Sequence, residues 1–344
     1  MRTIVSVNPP KNLTSADEYL FYPFLQYELD PLKIKKLRNV FVTHSGFCLD
    51  KNGLVKESHH RYPDQYDSYL WEAAYYYNDA TENPDHLITL DDENNYLLIH
   101  HPWFNYYHWI CECIFRIWMV KERLSEMILL LPEHYRETDF IMGSIEPFSF
   151  KDIFFIPTSK SVFVNKLCMP QIKPVVNGYN KNDVAAIRKY YLRYTLEDKK
   201  IDINLGERIY ISRKKASRKK VANEEELETI LHQYGFTIIN NEDYNFQQQV
   251  SIFSHAKCLI SIHGSGLTNM LFMQERGRVL EFHKKKTNDR DWHSLAFWYL
   301  AATLDLDYYH QLCDPTDPDA DYFNANFIVD VHEFEKNIKL LVSE

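Results

Sequence analysis

The chain has 344 residues, of which 45% are hydrophobic and 25% are charged, a composition typical of a globular protein with one or two domains. The formal net charge of −9 argues against general nucleic-acid binding, which requires a basic surface. Six cysteines scattered over a chain of this length exclude a small disulfide-stabilised fold, so we expect reduced thiols.

The first half of the chain contains short strand-like runs and one long helical pattern. Strands are predicted at Asn39–Thr43, Tyr96–His100, Met127–Leu131 and Asp152–Phe155. Helices are predicted over Tyr107–Arg123 and Asn182–Leu196, and the segment between them is interrupted by Pro170, Pro174 and Gly178. We therefore divide the chain into an N-terminal domain, residues 1–178, a C-terminal domain, residues 179–326, and a last helical segment, residues 327–344, that can pack back on the first domain.

The second half alternates strands and helices with short links. The predicted strands are Arg208–Ser212, Phe236–Ile239, Leu259–Ile262, Val279–Phe282 and Leu306–Tyr309. A capping-box pattern, Asn223 followed by Glu226, begins a helix that ends at Gly235. Further helices are predicted at Phe246–Ala256, Leu267–Met273, Trp292–Leu304 and Val331–Val342. This alternation predicts an α/β fold with a parallel, doubly wound sheet covered by helices on both faces.

A glycine-containing loop, His263-Gly264-Ser265-Gly266, follows the third strand of this half. Doubly wound sheets bind ligands at the carboxyl ends of their strands, which is where this loop lies. Glycine lets the backbone approach a ligand closely, and the N-terminus of the following helix offers N–H groups to a phosphate. The alternative is a tight turn without a ligand, and the glycines alone do not separate the two. The spacing excludes a dinucleotide fingerprint, a P-loop and the nucleophile elbow of hydrolases.

A second loop, Arg213–Lys220, follows the strand Arg208–Ser212 and carries six cations in eight residues. A guanidinium group at a strand end can hold a diphosphate through paired hydrogen bonds, and we predict this role for Arg213. The lysines of the loop are predicted to be solvated; they are Lys214, Lys215, Lys219 and Lys220. Glu281, near the end of the fourth strand, can accept hydrogen bonds from ribose hydroxyls or pair with a nearby cation.

The first half also holds a dense polar and aromatic stretch between His100 and Glu112. If a helix begins at Tyr107, His108 and Glu112 lie four residues apart on one face, where an imidazole and a carboxylate can act as a general base. The alternative is a capped helix with a hydrogen-bonded histidine. His100, His101 and His108 could also supply three zinc ligands, although their spacing matches no familiar metal motif.

Together these pieces resemble bacterial-type members of glycosyltransferase family 61. The resemblance is carried by YISRKKASRKKVANEEEL (210–227), LHQYGFTIINNEDYNFQQQVSIFSHA (231–256) and ISIHGSGLTNMLFM (260–273). NYYHWICE (105–112) resembles the family's Asn-x-x-His motif with an acid four residues after the histidine. Ser265 stands where the family usually has alanine, which adds a hydroxyl at that position. Residues 1–95 and 130–178 carry no resemblance.

The resemblance implies a GT-B architecture, two Rossmann-like domains facing across a cleft, and inverting transfer of a hexosyl or pentosyl group from a nucleotide-sugar, usually a UDP-sugar, to a saccharide acceptor. Carried over by position, the donor diphosphate would contact Arg213, Arg218, His263, Gly264, Ser265 and Gly266, with Asn269 and Glu281 nearby. His108 or Glu112 would deprotonate the acceptor hydroxyl, and we favour His108 because an ordinary imidazole titrates closer to neutrality. Arginines and a helix N-terminus can stabilise the departing diphosphate, so no metal or other cofactor is expected.

The N-terminus shows no charged region followed by an apolar core, and no apolar run approaches the ~18 residues of a membrane span. We therefore expect a cytoplasmic enzyme that builds capsule, lipopolysaccharide or another surface glycan. A lipid-linked acceptor and peripheral contact with the inner face of the membrane are left open. Two other functions also remain open: a polysaccharide pyruvyl transferase-like enzyme, and a non-catalytic nucleotide-sugar-binding assembly subunit.

Overall fold

The fold is given by a computed structural model that describes residues 2–60, 62–174, 178–289 and 291–343. The strands are β1 Thr3–Ser6, β2 Gln26–Leu29, β3 Ile34–Thr43, β4 Cys48–Asp50, β5 Gly53–Leu54, β6 Leu87–Leu90, β7 Asn95–Leu98, β8 Met127–Pro132, β9 Asp152–Ile156, β10 Ser161–Pro170, β11 Arg208–Ile211, β12 Thr237–Ile239, β13 Cys258–Ile262, β14 Arg278–Lys284, β15 Asp307–Pro315 and β16 Phe327–Ile328. The α-helices are α1 Glu18–Phe21, α2 Tyr66–Glu82, α3 Tyr106–His108, α4 Ile114–Trp118, α5 Asp139–Ile145, α6 Lys181–Arg193, α7 Glu224–Gln233, α8 Phe246–His255, α9 Ala296–Thr303 and α10 Val331–Val342. In the described part of the chain, no helix is both long and apolar enough to cross a membrane.

The chain forms two compact units, a central unit, Asp30–Val175, and a terminal unit that combines Met1–Leu29 with Val176–Glu344. The N-terminal residues join the terminal unit because they are hydrogen-bonded to it: Nδ2 of Asn12 donates to the carbonyl of His310 at 2.7 Å, and Nε1 of Trp298 donates to that of Asn8 at 3.0 Å. The division therefore differs from the predicted domains, residues 1–178 and 179–326. The predicted boundary at residue 178 lies close to the observed boundary between the two units. The strands β1 and β2, however, belong to the terminal unit.

The central unit is built on a mixed sheet. Its strands lie in the order β5-β4-β3-β10-β7-β8-β9, and β6 also pairs with β10. β7, β8 and β9 run parallel to β10, whereas β3 pairs antiparallel with β10 and with β4. The resemblance implied a doubly wound parallel sheet here. Short turns reverse the chain between β3, β4 and β5, which makes these strands antiparallel neighbours, and β3 pairs with β10 in the antiparallel sense as well.

The long helix predicted over Tyr107–Arg123 is present but is divided into segments. α3 passes into a π-helical turn, Trp109–Cys113, then into α4 and a 3₁₀ turn, Lys121–Glu126. Buried Arg116 fastens these segments to the sheet, since Nε donates to the carbonyl of Pro170 at 2.6 Å and Nη1 donates to that of Ile99. The two acceptors lie at the ends of β10 and β7, so the helix is held over the carboxyl edge of the parallel strands.

The terminal unit contains the predicted parallel sheet, with strand order β12-β11-β13-β14-β15-β16. The first five strands are parallel, and β16 pairs antiparallel with β15. β12 lies on one side of β11 in the sheet, whereas β13, β14 and β15 follow one another on the other side. Because such crossovers are right-handed, α7 and the later crossover helices lie on opposite faces of the sheet. The predicted doubly wound α/β arrangement is confirmed for this unit.

The last helix, α10, has the predicted bounds but packs on its own sheet. Phe334, Ile338 and Leu341 recur on one face and are buried in the same apolar core as the strands β13 and β14. Nη1 of Arg278, in β14, donates to the carbonyl of Leu341 at 2.9 Å. Residues 327–344 were expected to pack back on the first domain, whereas the apolar stripe of α10 completes the core of the terminal unit.

Two local predictions about helix ends are corrected. Asn223 does not cap α7, because its Nδ2 donates to the carbonyl of Val329 at 2.9 Å and its Oδ1 accepts from Val329 N at 3.0 Å. The helix predicted at Leu267–Met273 is a 3₁₀ helix, Ser265–Phe272. The first difference arises because a distant segment of the chain occupies the side chain of Asn223.

Candidate functional site

Two loops of the terminal unit meet where the strand order reverses. β11 and β13 are neighbours, but the chain leaves them in opposite directions, which opens a crevice outside their carboxyl ends. Arg213 lies two residues beyond the end of β11, and His263 follows β13 directly. The residues predicted to hold an anion therefore lie at the position where doubly wound sheets bind ligands.

Gly264 and Gly266 allow the glycine loop to approach its neighbours closely. A Cβ atom on Gly264 would lie 2.9 Å from Nη1 of Arg213, and one on Gly266 would lie 3.0 Å from Nδ2 of Asn241. Arg213 is fixed by its own loop, since Nε donates to the carbonyl of Lys219 at 3.0 Å. The guanidinium group therefore lies directly against the glycine loop, and a side chain at Gly264 would displace it.

Lys219 is buried, whereas the sequence predicted a solvated side chain. The residue is 5% exposed, and Nζ lies 4.1 Å from the ring centroid of Tyr322. Among the described residues, no carboxylate forms an ion pair with it. Burial, with repulsion from Arg213, lowers the pKa of Lys219 to about 7. The flanking Lys214 and Lys215 are exposed, as predicted.

Glu281 lies behind the glycine loop and orients His263. One oxygen of this fully buried carboxyl group accepts from Nδ1 of His263, and the other accepts from the hydroxyl of Tyr308 at 2.7 Å. Both oxygens of Glu281 are thus hydrogen-bonded within the protein, whereas the sequence left open contact with ribose hydroxyls or pairing with a nearby cation. Burial and Lys219 lower the pKa of His263 to about 3, so the neutral ring carries its proton on Nδ1.

The other residues predicted for the donor site take three different positions. Arg218 is exposed, and its Nη1 donates to Oδ1 of Asn324 at 3.1 Å. Ser265 is half-buried at the first position of the 3₁₀ helix. Asn269 is fully buried, and its Nδ2 donates to Oε1 of Gln249 at 2.8 Å, so it joins the 3₁₀ helix to α8.

Four largely buried histidines of the terminal unit predict a loss of stability in mild acid. Burial lowers the pKa of His263 to about 3, that of His310 to about 4, and those of His283 and His293 well below the ordinary value. Unfolded histidines titrate near pH 6.5, so between about pH 6.5 and 4.5 only the unfolded chain takes up these protons, and stability falls as the pH falls. Each histidine contributes up to ~1.4 kcal/mol per pH unit.

Urea unfolding from pH 7.5 to pH 4.5 measures this slope. His293→Phe is a matched control, because Nε2 of His293 is buried without a hydrogen-bond partner among the described residues. The ring packs against Phe21 and His283, contacts that phenylalanine preserves. In the variant the free energy of unfolding should change less steeply with pH, by the contribution of about one proton. An unchanged slope would mean that this histidine is already protonated in the folded protein.

In the central unit, Asn105 and His108 form the N-terminal cap of a helix. The backbone of Asn105 is extended, and its Oδ1 accepts from the backbone N–H of His108 at 3.0 Å. This geometry gives a physical reason for the Asn-x-x-His spacing, since an N-cap side chain bonds the third helical residue. The cap fixes the backbone of His108, and a π-helical turn with Glu112 follows; such turns are frequent at functional sites.

The predicted pairing of His108 with Glu112 is confirmed, and two further histidines join it. Nδ1 of His108 lies 2.8 Å from Oε2 of Glu112, and Nε2 of His60 lies 2.9 Å from the same oxygen. Nε2 of His101 lies 3.2 Å from it. The backbone N–H of Trp103 donates to Nδ1 of His101, so in the neutral ring the proton is on Nε2, facing Glu112. Three imidazoles therefore surround one buried carboxylate oxygen.

The charges of this cluster favour an ionised Glu112. Burial alone would raise the pKa of Glu112, but His108, His60 and the hydrogen bonds hold it well below the ordinary value. The side chain of His108 is 16% exposed, while that of Glu112 is 2% exposed. In the described part of the chain, Nε2 of His108 makes no hydrogen bond. A carboxylate that fixes Nδ1–H and leaves Nε2 to accept a proton is the arrangement of a general base.

Sequence reasoning missed His60, Trp103 and Lys219. His60 follows another histidine in a segment without helical or strand pattern, and nothing in the sequence connects it to Glu112. Trp103 packs against two members of the cluster with its ring tilted, and its ring centroid lies 4.2 Å from that of His60 and 4.9 Å from that of His108. The sequence contains 15 histidines, which is a signal for such clusters, but the sequence alone could not assign their contacts.

The sequence profile described as Glycosyltransferase 61 matches residues 106–280, just over half of the chain. The chain belongs to glycosyltransferase family 61. A comparison with curated proteins finds no match. The matched range contains His108, Glu112, Arg213, Lys219 and the glycine loop of this glycosyltransferase. It begins directly after Asn105 and ends at the residue before Glu281, so His60 and His101 lie outside it.

Among the residues that the structure describes, two groups of side chains of the glycosyltransferase could also hold a metal ion. The ligand atoms of His60, His108 and Glu112 lie within 4.8 Å of one another, as do those of His263, Glu281 and His283. In the first group a cation would replace the protons that now face Oε2 of Glu112. The second group lies near the cationic Lys219, which repels a divalent cation. Imidazole and carboxylate ligands suit zinc or another transition metal.

Proposed function

We propose that the protein is an inverting glycosyltransferase that moves a sugar from a UDP-sugar to a hydroxyl group of a saccharide acceptor. The observation that carries the proposal is the cationic crevice of the terminal unit, where Arg213 lies against the glycine loop and buried Lys219 has no ion-pair partner among the described residues. A buried ammonium group without a counter-charge is costly, and a bound anion relieves that cost. We also propose a GT-B arrangement, with the donor on the terminal unit and the acceptor on the central unit.

The donor diphosphate is assigned to the guanidinium group of Arg213, the ammonium group of Lys219 and the first N–H groups of the 3₁₀ helix at Ser265 and Gly266. Transfer breaks the bond between the anomeric carbon and the phosphate oxygen, and both electrons leave with UDP. Cations and oriented N–H groups stabilise the charge that develops on this leaving group. The proposed reaction therefore requires no metal ion.

The acceptor hydroxyl is assigned to Nε2 of His108. As the acceptor oxygen bonds to the anomeric carbon, its proton moves to Nε2, and the carboxylate of Glu112 stabilises the imidazolium that forms. Attack from the side opposite to UDP inverts the configuration of that carbon. The proton passes to solvent after release of the product.

UDP is expected to stabilise the protein in a thermal-shift experiment with EDTA present. Binding at one hundred times Kd adds about 2.7 kcal/mol to the free energy of unfolding. The panel contains UDP, GDP, CMP, NAD⁺ and phosphoenolpyruvate. Arg213→Ala should remove the UDP shift, whereas Arg123→Ala, which breaks an exposed ion pair in the central unit, should leave it unchanged.

The same panel separates the competing functions. A UDP shift lost in Arg213→Ala supports the proposal and directs the search for products to UDP-sugars. A shift with phosphoenolpyruvate in place of UDP would favour a pyruvyl transferase-like enzyme. Binding of UDP-sugars without hydrolysis or transfer would favour a non-catalytic nucleotide-sugar-binding subunit. No shift with UDP contradicts the proposed donor.

A further inference from the structure

Helix α2 presents aromatic side chains to solvent that the proposed chemistry does not use. Its inner side packs on the central sheet through residues that are all buried: Tyr69, Ala73 and Ala80. Its other sides carry the exposed residues Tyr66, Leu70, Trp71, Tyr75 and Tyr77, and Trp71 is 78% and Tyr75 65% exposed. Over its 17 residues the helix is about 25 Å long. So many exposed rings on one element indicate an interaction site.

The N-terminal end of α2 adjoins the cluster around His108 through Tyr62 and Gln65. The ring centroid of Trp103 lies 5.9 Å from that of Tyr62, just before α2, and 4.9 Å from that of His108. Nε1 of Trp103 donates at 2.8 Å to Oε1 of Gln65, the N-cap residue of α2. The start of α2 is therefore hydrogen-bonded to Trp103, whose ring packs against His108.

The charged residues of α2 indicate which class of partner the helix binds. The helix carries four acidic residues, Asp67, Glu72, Asp79 and Glu82, and no lysine or arginine. Helices that bind anionic membrane surfaces are rich in lysine and arginine, so a lipid surface is disfavoured. Tyrosine and tryptophan rings offer flat faces with polar edges, which suit the C–H faces of sugar rings. The carboxylates among them can accept hydrogen bonds from sugar hydroxyls.

We propose that α2 is an extended binding surface for a neutral oligosaccharide acceptor. The terminal sugar reaches His108 past Trp103, and the following units extend along α2 and stack on Trp71 and Tyr75, which lie four residues apart on one face of the helix. The role of the terminal hydroxyl rests on the proposed transferase function. Binding of the oligosaccharide needs only side chains of the central unit.

A glycan array that presents neutral and charged oligosaccharides of increasing length tests this surface. The wild-type protein should bind a set of neutral glycans, more tightly as their length increases. Trp71→Ala/Tyr75→Ala should weaken that binding by at least about tenfold, because two stacking contacts are lost. Trp71→Phe/Tyr75→Phe keeps both rings and should retain most of it. Tyr19→Ala removes a ring that is 62% exposed outside α2 and should change nothing.

Several results would overturn the proposal. These are no binding to any glycan on the array, equal binding by the alanine variant, binding only to charged glycans, or self-association that the alanine substitutions abolish. Retention by phosphatidylglycerol vesicles that is lost in the same variant would assign α2 to a membrane instead. The UDP thermal shift, measured on the same samples, keeps the two hypotheses apart: a UDP shift without glycan binding removes only this inference, and glycan binding without a UDP shift removes only the proposed donor.

Discussion

Replacement of His108 by alanine is expected to lower the rate of sugar transfer by about 10²–10⁴-fold, the range usually lost with a general base. The acceptor hydroxyl would then lose its proton to water without an oriented acceptor. The UDP thermal shift should remain, because the donor is assigned to the terminal unit. The measurement is initial-rate transfer from a UDP-sugar identified through the ligand panel, with unfolding temperature and UDP shift recorded for each variant.

Two variants make this result specific. Glu112→Gln keeps the shape of the side chain but cannot stabilise an imidazolium ion, so a loss of about 10²-fold or greater is expected. His332→Ala removes an exposed histidine of α10 and should leave the rate unchanged. Near-normal turnover in His108→Ala would refute its role as the base. If the wild-type protein held one equivalent of zinc that the variant lost, His108 would be a metal ligand instead.

The fold of the second half could be predicted because most strands there are short apolar runs that alternate with helical segments along the chain. β11, with the sequence RIYI, and β13, with CLISI, show this pattern clearly. Helix α2 was missed because its exposed sides are as aromatic as its buried side, which removes the apolar stripe that marks a surface helix. β10 was missed because Asn165 and Lys166 interrupt its apolar pattern and a proline ends it.

The functional side chains could be predicted where local spacing determines the geometry. His108 and Glu112 are one helical turn apart, and Arg213 and His263 follow adjacent parallel strands, so the secondary structure brings each pair together. The burial of Lys219 could not be predicted, because six cations share its loop and Tyr322, which covers it, comes from a distant part of the chain. His60 likewise reaches Glu112 only through tertiary packing.

Lys219 is expected to make UDP affinity dependent on pH. Burial and the neighbouring Arg213 lower the pKa of Lys219 to about 7, so above that pH the free protein holds mostly the neutral amine. A bound diphosphate favours the ammonium form, and binding therefore takes up a proton. The affinity should fall by up to about tenfold per pH unit above pH 7, until the pKa of Lys219 in the complex is reached. Calorimetry at pH 8 in buffers of different ionisation enthalpy should detect uptake of nearly one proton per UDP.

Lys219→Arg is the matched control, because a guanidinium group stays charged throughout this range. Its UDP affinity should vary little above pH 7, and proton uptake at pH 8 should fall close to zero. An equal pH dependence in both proteins would show that another group takes up the proton.

Lys219→Met separates binding from stability. The folded protein holds the pKa of this lysine below its unfolded value near 10.4, so the ammonium group destabilises the fold at neutral pH, by at most on the order of 5 kcal/mol. Methionine should therefore raise the unfolding temperature at pH 7 and weaken UDP binding at the same time. The gain in stability should shrink as the pH rises toward 10, where the unfolded lysine also loses its proton. A residue whose removal stabilises the free protein and impairs the complex is one that the fold retains for its ligand.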